Sequence, residues 1–167
     1  MKKAVIITGP GFEDVEVTYP YYRLLEAAIT PDIATKDKIE VKGKHGFILQ
    51  PTVDAKKLSP ESYDIVIIPG GHEAPDRVRQ IEKVLSFIQK MHTQNKIIAS
   101  ICHGPWVLIS AGIMKGKHAT CYPGCKDDLI NAGAIYENKP VVVDKNIITS
   151  PHYRDIHLFM KAVLEHI

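Results

Sequence analysis

The chain has 167 residues, enough for one domain (1–167) with a sizeable core, and no Gly/Ser/Pro-rich linker divides it. Its 21 Lys and Arg against 19 Asp and Glu leave a formal charge of +2, spread through segments such as 36–44 rather than gathered in one block, which excludes nucleic acid as a stable partner. No segment approaches the ~20 apolar residues of a membrane span, and three cysteines, Cys102, Cys121 and Cys125, are an odd count that fits no disulfide framework.

Residues 3–8 predict a first strand; the apolar run is too short for a signal-peptide core, so the expected setting is the cytoplasm. After the turn Gly9-Pro10-Gly11-Phe12, Val15, Tyr19, Tyr22 and Leu25 recur at helical spacing within a helix over 13–28. A short strand at 33–35 is followed by 39–42 and 45–50, which flank Gly43 as a hairpin, expected as an excursion at one edge of the sheet. The β-formers at 65–68 end at Pro69-Gly70-Gly71. Ile81, Val84, Leu85, Ile88 and Met91 mark an amphipathic helix ending near Asn95, before an interior strand that leads to Cys102. A helix at 104–111, a strand at 118–121, a helix at 126–132, strands at 141–143 and 147–149 and a helix at 156–166 complete the chain. This alternation predicts an α/β fold, a mainly parallel sheet with helices on both faces. Ligands in such folds bind beyond the carboxyl ends of the strands, where the loops 8–16, 69–77, 102–106 and 149–155 can converge.

Cys102 stands at the turn between an interior strand and a helix. A free thiol is only about 3% ionised near neutrality at its usual pKa of about 8.5, and a helix N-terminus favours the thiolate. Glu13 and Glu16, three apart, project from one helix face. Their plain role is first-turn charge; the sharper one places a protonated carboxyl beside the thiolate. His103 follows Cys102 directly, and adjacent side chains on a regular helix diverge, so it reaches the thiol only if the turn at Cys102 is strained. Glu73 and Asp76 are candidates to orient that histidine. Gly70 and Gly71 allow a tight turn with free N–H groups suited to an oxyanion. Trp106, Tyr122 and Tyr153 read as packing or pocket walls. His118, Cys121 and Cys125 supply three soft ligands but no CxxC pair, so neither a metal nor another cofactor is expected.

Taken together, Gly11-Phe12-Glu13-Asp14-Val15-Glu16, Lys42-Gly43-Lys44-His45-Gly46, Pro69-Gly70-Gly71, Ser100-Ile101-Cys102-His103-Gly104-Pro105, Thr120-Cys121-Tyr122-Pro123-Gly124 and Asn131-Ala132-Gly133 resemble the PfpI intracellular protease group of the ThiJ/PfpI superfamily, nearly end to end. The resemblance implies a flavodoxin-like three-layer sandwich of the class I glutamine amidotransferase type. It further implies that Cys102 is the nucleophile on an elbow, and that an acid at the Asp76 position reaches His103 from a neighbouring subunit of a homo-oligomer, dimer to hexamer. Members are described as cysteine peptidases and as deglycases acting on glyoxal and methylglyoxal adducts, and some relatives show glyoxalase III or chaperone-like activity. Three departures stand out. Pro151 follows Thr149-Ser150 where the family has an Arg, leaving substrate anchoring to His152 or Arg154. The Pro-Gly-Gly loop is one residue longer, with Asp76 where relatives carry Glu. Ala28-Ile29 replaces an Ala-Gly.

The leading expectation is a cysteine-dependent hydrolase of small-molecule or peptide substrates: Cys102 attacks, the Gly71 and His103 N–H groups hold the oxyanion, and His103 moves protons, with Tyr122 near the substrate. The alternative is a redox-sensing stress protein or holdase in which Cys102 oxidises to a sulfinate.

Overall fold

Strands whose two faces are both covered carry apolar residues at every position, and Ile65–Ile68 is buried throughout. The structure, a computed structural model, describes residues 2–167. In chain order its elements are β1 (Lys3–Ile7), α1 (Asp14–Glu26), β2 (Thr30–Thr35), β3 (Val41–Lys42), β4 (Ile48–Leu49), β5 (Val53–Asp54), β6 (Ile65–Ile68), α2 (Ala74–Val78), α3 (Glu82–Thr93), β7 (Ile97–Ile101), α4 (Pro105–Ser110), β8 (His118–Ala119), α5 (Lys126–Asn131), β9 (Ile135–Tyr136), β10 (Val142–Asp144), β11 (Ile147–Ser150) and α6 (Ile156–Glu165).

The main sheet runs β10-β11-β7-β6-β1-β2-β5. Its pairs are parallel except β10 with β11. Alternate residues of each central strand enter different cores. Val5, Ile7, Val66, Ile68 and Ile98 meet Val84, Phe87, Ile88 and Met91 of α3 and Val107 and Leu108 of α4. Ala4, Ile6, Ile65, Ile67 and Ala99 meet Val17 and Leu24 of α1 and Phe159, Met160 and Val163 of α6. Each fully buried side chain of this size contributes roughly 1.5–3 kcal/mol, so the three layers are held by the period-2 strands and the helical stripes that cover them. No helix of the described residues is long and apolar enough to cross a membrane.

Several elements differ from expectation. The strand at 118–121 shrinks to His118–Ala119 and pairs with β9 outside the main sheet; beyond it the Thr120 N–H donates to Thr149 Oγ1 and the Tyr122 N–H to the Cys102 carbonyl, taking the chain off the ladder. The hairpin pairs only Val41 with Leu49 and Lys42 with Ile48. As expected it is an excursion at one edge, leaving the main sheet between β2 and the edge strand β5. Its tip also reaches the β1–α1 turn, where the Gly11 N–H donates to the Lys42 carbonyl (2.8 Å) and the Lys44 N–H to the Phe12 carbonyl (2.8 Å). The short elements β5, α2 and β9 were not anticipated.

Candidate active site

Between β7 and α4 the backbone turns at Cys102 with φ of 61°, a left-handed conformation that costs a non-glycine residue roughly 1–2 kcal/mol. Two hydrogen bonds hold it there: the Cys102 N–H donates to the Ser150 carbonyl (2.9 Å), and the Cys102 carbonyl accepts from the Tyr122 N–H (2.9 Å). The strain changes the direction of neighbouring side chains. Cys102 Sγ lies 3.2 Å from His103 Nδ1, a contact that successive helical residues do not make.

His103 is fixed from two sides. Its ring stacks on Tyr122 with centroids 4.6 Å apart at 23°, and Trp106 meets it edge-on at 5.2 Å. Trp106 is in turn tethered by its indole N–H to Asp128 Oδ2 (2.9 Å). Burial first, and the Lys44 charge second, push the imidazole below its ordinary pKa. His103 is therefore neutral near pH 7 and able to accept the thiol proton.

Glu16, not Glu13, lies against the sulfur. It is fully buried, and its Oε2 accepts the Gly70 N–H at 2.7 Å. A Cβ built on Gly70 would stand 2.8 Å from that oxygen and 2.7 Å from Cys102 Cβ, which sets the carboxyl beside the cysteine. Burial is the largest influence on its carboxyl and lifts the pKa from 4.5 to about 8. Near neutrality Glu16 thus carries a proton that it can donate to sulfur. Glu13 instead accepts from Lys44 Nζ (3.3 Å) and His45 Nε2 (3.1 Å).

The expected lowering of the thiol pKa by a helix end does not hold. Burial, then the Glu16 charge, push Cys102 well above the usual thiol range, while the N–H groups of His103 and Gly71 pull the other way. The helix after it has six residues and begins three positions beyond the sulfur, so its field is weak where desolvation is strong. Protonation of Glu16 removes one cause of the rise, and His103 supplies the base.

A cavity of about 280 Å³ opens over Cys102, lined by Glu13 and Lys44, Gly71 and His72, His103 and Trp106, and Tyr122, His152 and Tyr153. All four strand-end loops contribute. Gly71 sits at φ 116°, and a Cβ there would lie 2.4 Å from the Gly11 carbonyl oxygen, so only glycine can bring this N–H to the sulfur. A larger cavity of about 440 Å³ is lined by Thr8, Ile39 and Val78 among others and contains neither cysteine nor histidine.

Other candidates fall elsewhere. Gly70 does not line the cavity, because its N–H is taken by Glu16. Glu73 pairs with Arg77 (2.9 Å), and Asp76 is exposed with the Gln80 amide nearby (3.5 Å); neither contacts His103 within this chain. Of the two anchoring candidates, His152 reaches the cavity, while Arg154 is exposed outside it and only its backbone N–H is engaged, by His152 Nδ1 (3.2 Å). Lys44 and His72 were missed as lining residues. The signal for Lys44 was its place in the Lys42–Gly46 motif; His72 carried none beyond its position after Gly71. Cys121 and Cys125 are buried free thiols, and His118 is turned to Glu137 (2.6 Å).

A family model described as DJ-1/PfpI family matches residues 2–166. Deglycase PH1704 of Pyrococcus horikoshii is 43% identical over 163 residues, covering 98% of this chain and 98% of its own. Deglycase PfpI of Pyrococcus furiosus is 42% identical, with the same coverage. Among solved structures, a two-domain protein from Anabaena variabilis containing dj-1/thij/pfpi-like and ferritin-like domains superposes with TM-score 0.95 at 34% identity over 98% of this chain. The chain spans about half of that protein, 49%. Drosophila melanogaster DJ-1beta superposes with TM-score 0.90 at 28% identity, over 98% of this chain and 89% of its own. The flavodoxin-like sandwich is shared with both of these solved structures.

Proposed function

The chain belongs to the DJ-1/PfpI family, and from that membership together with the Cys102 elbow we propose that it is a cysteine-dependent hydrolase that removes glyoxal and methylglyoxal adducts from amines in the cytoplasm. The observation that carries this reading is the 3.2 Å approach of Cys102 Sγ to His103 Nδ1 at the floor of an open cavity.

His103 Nδ1 takes the thiol proton as Sγ bonds to the substrate carbonyl carbon, and the carbonyl π pair moves onto oxygen. The N–H groups of Gly71 and His103, which face the sulfur, hold that oxyanion. With an amide, collapse expels the amine, which takes the proton from His103; water then adds to the thioester, releasing an acid and restoring the thiol. With a glycation adduct the sulfur replaces the amine on the aldehyde-derived carbon, the C–N bond breaking as the amine leaves with the proton from His103. The resulting hemithioacetal isomerises by a proton shift from that carbon to the neighbouring carbonyl carbon into a 2-hydroxy thioester, and water releases the 2-hydroxy acid and restores the thiol. Protonated Glu16 keeps a hydrogen bond on the sulfur while it is anionic.

Among the described residues, no acid of its own chain partners His103. Asp76, exposed on α2, is suited to reach the His103 of a second copy, which makes the enzyme a homo-oligomer with its active site near a subunit interface. Tyr122 and His152 hold the substrate's body, and Lys44 lines the same cavity.

Purified protein is offered a methylglyoxal-treated N-acetyl amino acid and, separately, a fluorogenic peptide. Release of free amine by the native chain, lost in Cys102→Ala, is expected; peptide cleavage alone would assign it as a peptidase. Turnover that survives Cys102→Ala would overturn the proposal. Suppression of client aggregation by Cys102→Ala, with no turnover by the native chain, would favour the holdase reading.

A further inference from the structure

Asp14 opens α1, where an acid ordinarily serves the helix end. Here its carboxylate is turned away from the helix to the hairpin tip: Oδ2 accepts the His45 N–H at 3.0 Å and Oδ1 the Phe47 N–H at 2.9 Å. Gly43 makes the approach possible, since a Cβ there would stand 2.4 Å from Asp14 Oδ2. With the Gly11–Lys42 and Phe12–Lys44 backbone bonds already described, the tip is clamped to the start of α1 at four points. The clamp delivers Lys44 Nζ and His45 Nε2 to the two oxygens of Glu13.

Glu13 is the charge that this arrangement controls. Its carboxylate is buried to 7% exposure, and it lies close enough to Glu16 to raise the latter's pKa, while Lys44 acts in the opposite sense. The charged and titratable groups around the thiol come from every packed element. They are Glu13 just before α1 and Glu16 within it, Lys44 and His45 from the hairpin, His72 from the β6–α2 loop, His103 from the elbow, Tyr122 and Cys125 from the segment between β8 and α5, and His152 and Tyr153 from the loop after β11. Among the described residues, Glu13 accepts ion pairs only from this hairpin.

We infer that Asp14 is a positioning residue: it docks the β3–β4 hairpin on α1 so that Lys44 and His45 screen Glu13 from the Cys102–Glu16 pair. Asp14 does not line the cavity and acts through Lys44 and His45. Loss of the clamp leaves Glu13 less screened, so that removing the first proton from the Cys102–Glu16 pair sets a new negative charge near a less neutralised Glu13. Ionisation of the pair then moves to higher pH. The inference rests on Cys102 being the nucleophile, yet the charge relation can be read without any substrate.

The test is alkylation of Cys102 by iodoacetamide, in which the sulfur–carbon bond forms as iodide leaves, followed from pH 5 to 10 by peptide mass spectrometry. The native chain is compared with Asp14→Ala, Glu13→Gln and the double variant, and Asp14→Asn serves if Asp14→Ala melts early. Asp14→Ala is expected to move the profile up by about one pH unit, roughly a tenfold slower reaction at pH 7. In the Glu13→Gln background the same substitution is expected to change the profile less than about twofold, because the charge it screens is gone. A profile unmoved by Asp14→Ala, or a shift that persists in the Glu13→Gln background, would overturn the inference. Turnover retained in Cys102→Ala would defeat the nucleophile assignment while leaving the alkylation result standing.

Discussion

Replacing Glu16 by Gln isolates the most perturbed carboxyl at the site. In the folded chain this group ionises near 8 rather than 4.5, so between those values the native state holds a proton that the unfolded chain has released. Folded-state binding of the extra proton makes stability fall as pH rises through that window. The full fall amounts to about 5 kcal/mol at about 1.4 kcal/mol per unit, of which about 3 kcal/mol has accrued by pH 7. Gln keeps the shape, can accept the Gly70 N–H through its amide oxygen, and does not titrate. Denaturant unfolding of the native chain and Glu16→Gln at pH 5, 6, 7 and 8 should therefore show a difference that grows in favour of the variant by a few kcal/mol towards pH 8. Whatever fixed cost the amide carries at the position of the unpartnered Oε1 is the same at each pH and leaves the trend intact. A difference constant from pH 5 to 8 would refute the assignment of a raised, protonated Glu16.

Gly71→Ala sets a Cβ against the Gly11 oxygen at φ 116°; a loss of about 2–5 kcal/mol is expected from strain and overpacking, with turnover down about a hundredfold as the N–H leaves the oxyanion, measured by thermal melting and steady-state kinetics. Phe159→Ala empties the fully buried contact of α6 with the sheet and should cost about 3–5 kcal/mol in urea unfolding, with the alkylation profile of Cys102 unchanged. Asp76→Ala should melt like the native chain yet turn over poorly. Mixed after dissociation with Cys102→Ala, it should regain activity, since a mixed oligomer restores sites holding Cys102 of one copy and Asp76 of another. No recovery on mixing would place the orienting acid elsewhere.

The layers were legible because apolar runs at 65–68 and 97–101 and helical stripes such as Val84, Ile88 and Met91 carry their burial in their spacing. β5, α2 and β9 were not, because elements of two to five residues exist through their neighbours rather than through a period of their own. The four strand-end loops could be placed on one rim by topology alone. Which glutamate faces the sulfur could not: Glu13 and Glu16 share a helix face, and the choice is made by Gly70 and by a hairpin 31 positions away. The same hairpin hides the meaning of Asp14, an ordinary first-turn acid until Gly43 is laid against it. The thiol's environment was misread because a helix end is visible in sequence whereas desolvation is not.

The central claim is that the Cys102 sulfur bonds to substrate, and acid-quenched single-turnover mixtures analysed by peptide mass spectrometry test it most directly. A transient mass increase matching the acyl or hemithioacetal adduct, confined to the Cys102 peptide and prolonged in His103→Gln, is the predicted result. Amine release that proceeds at the native rate with no adduct on that peptide would contradict the account.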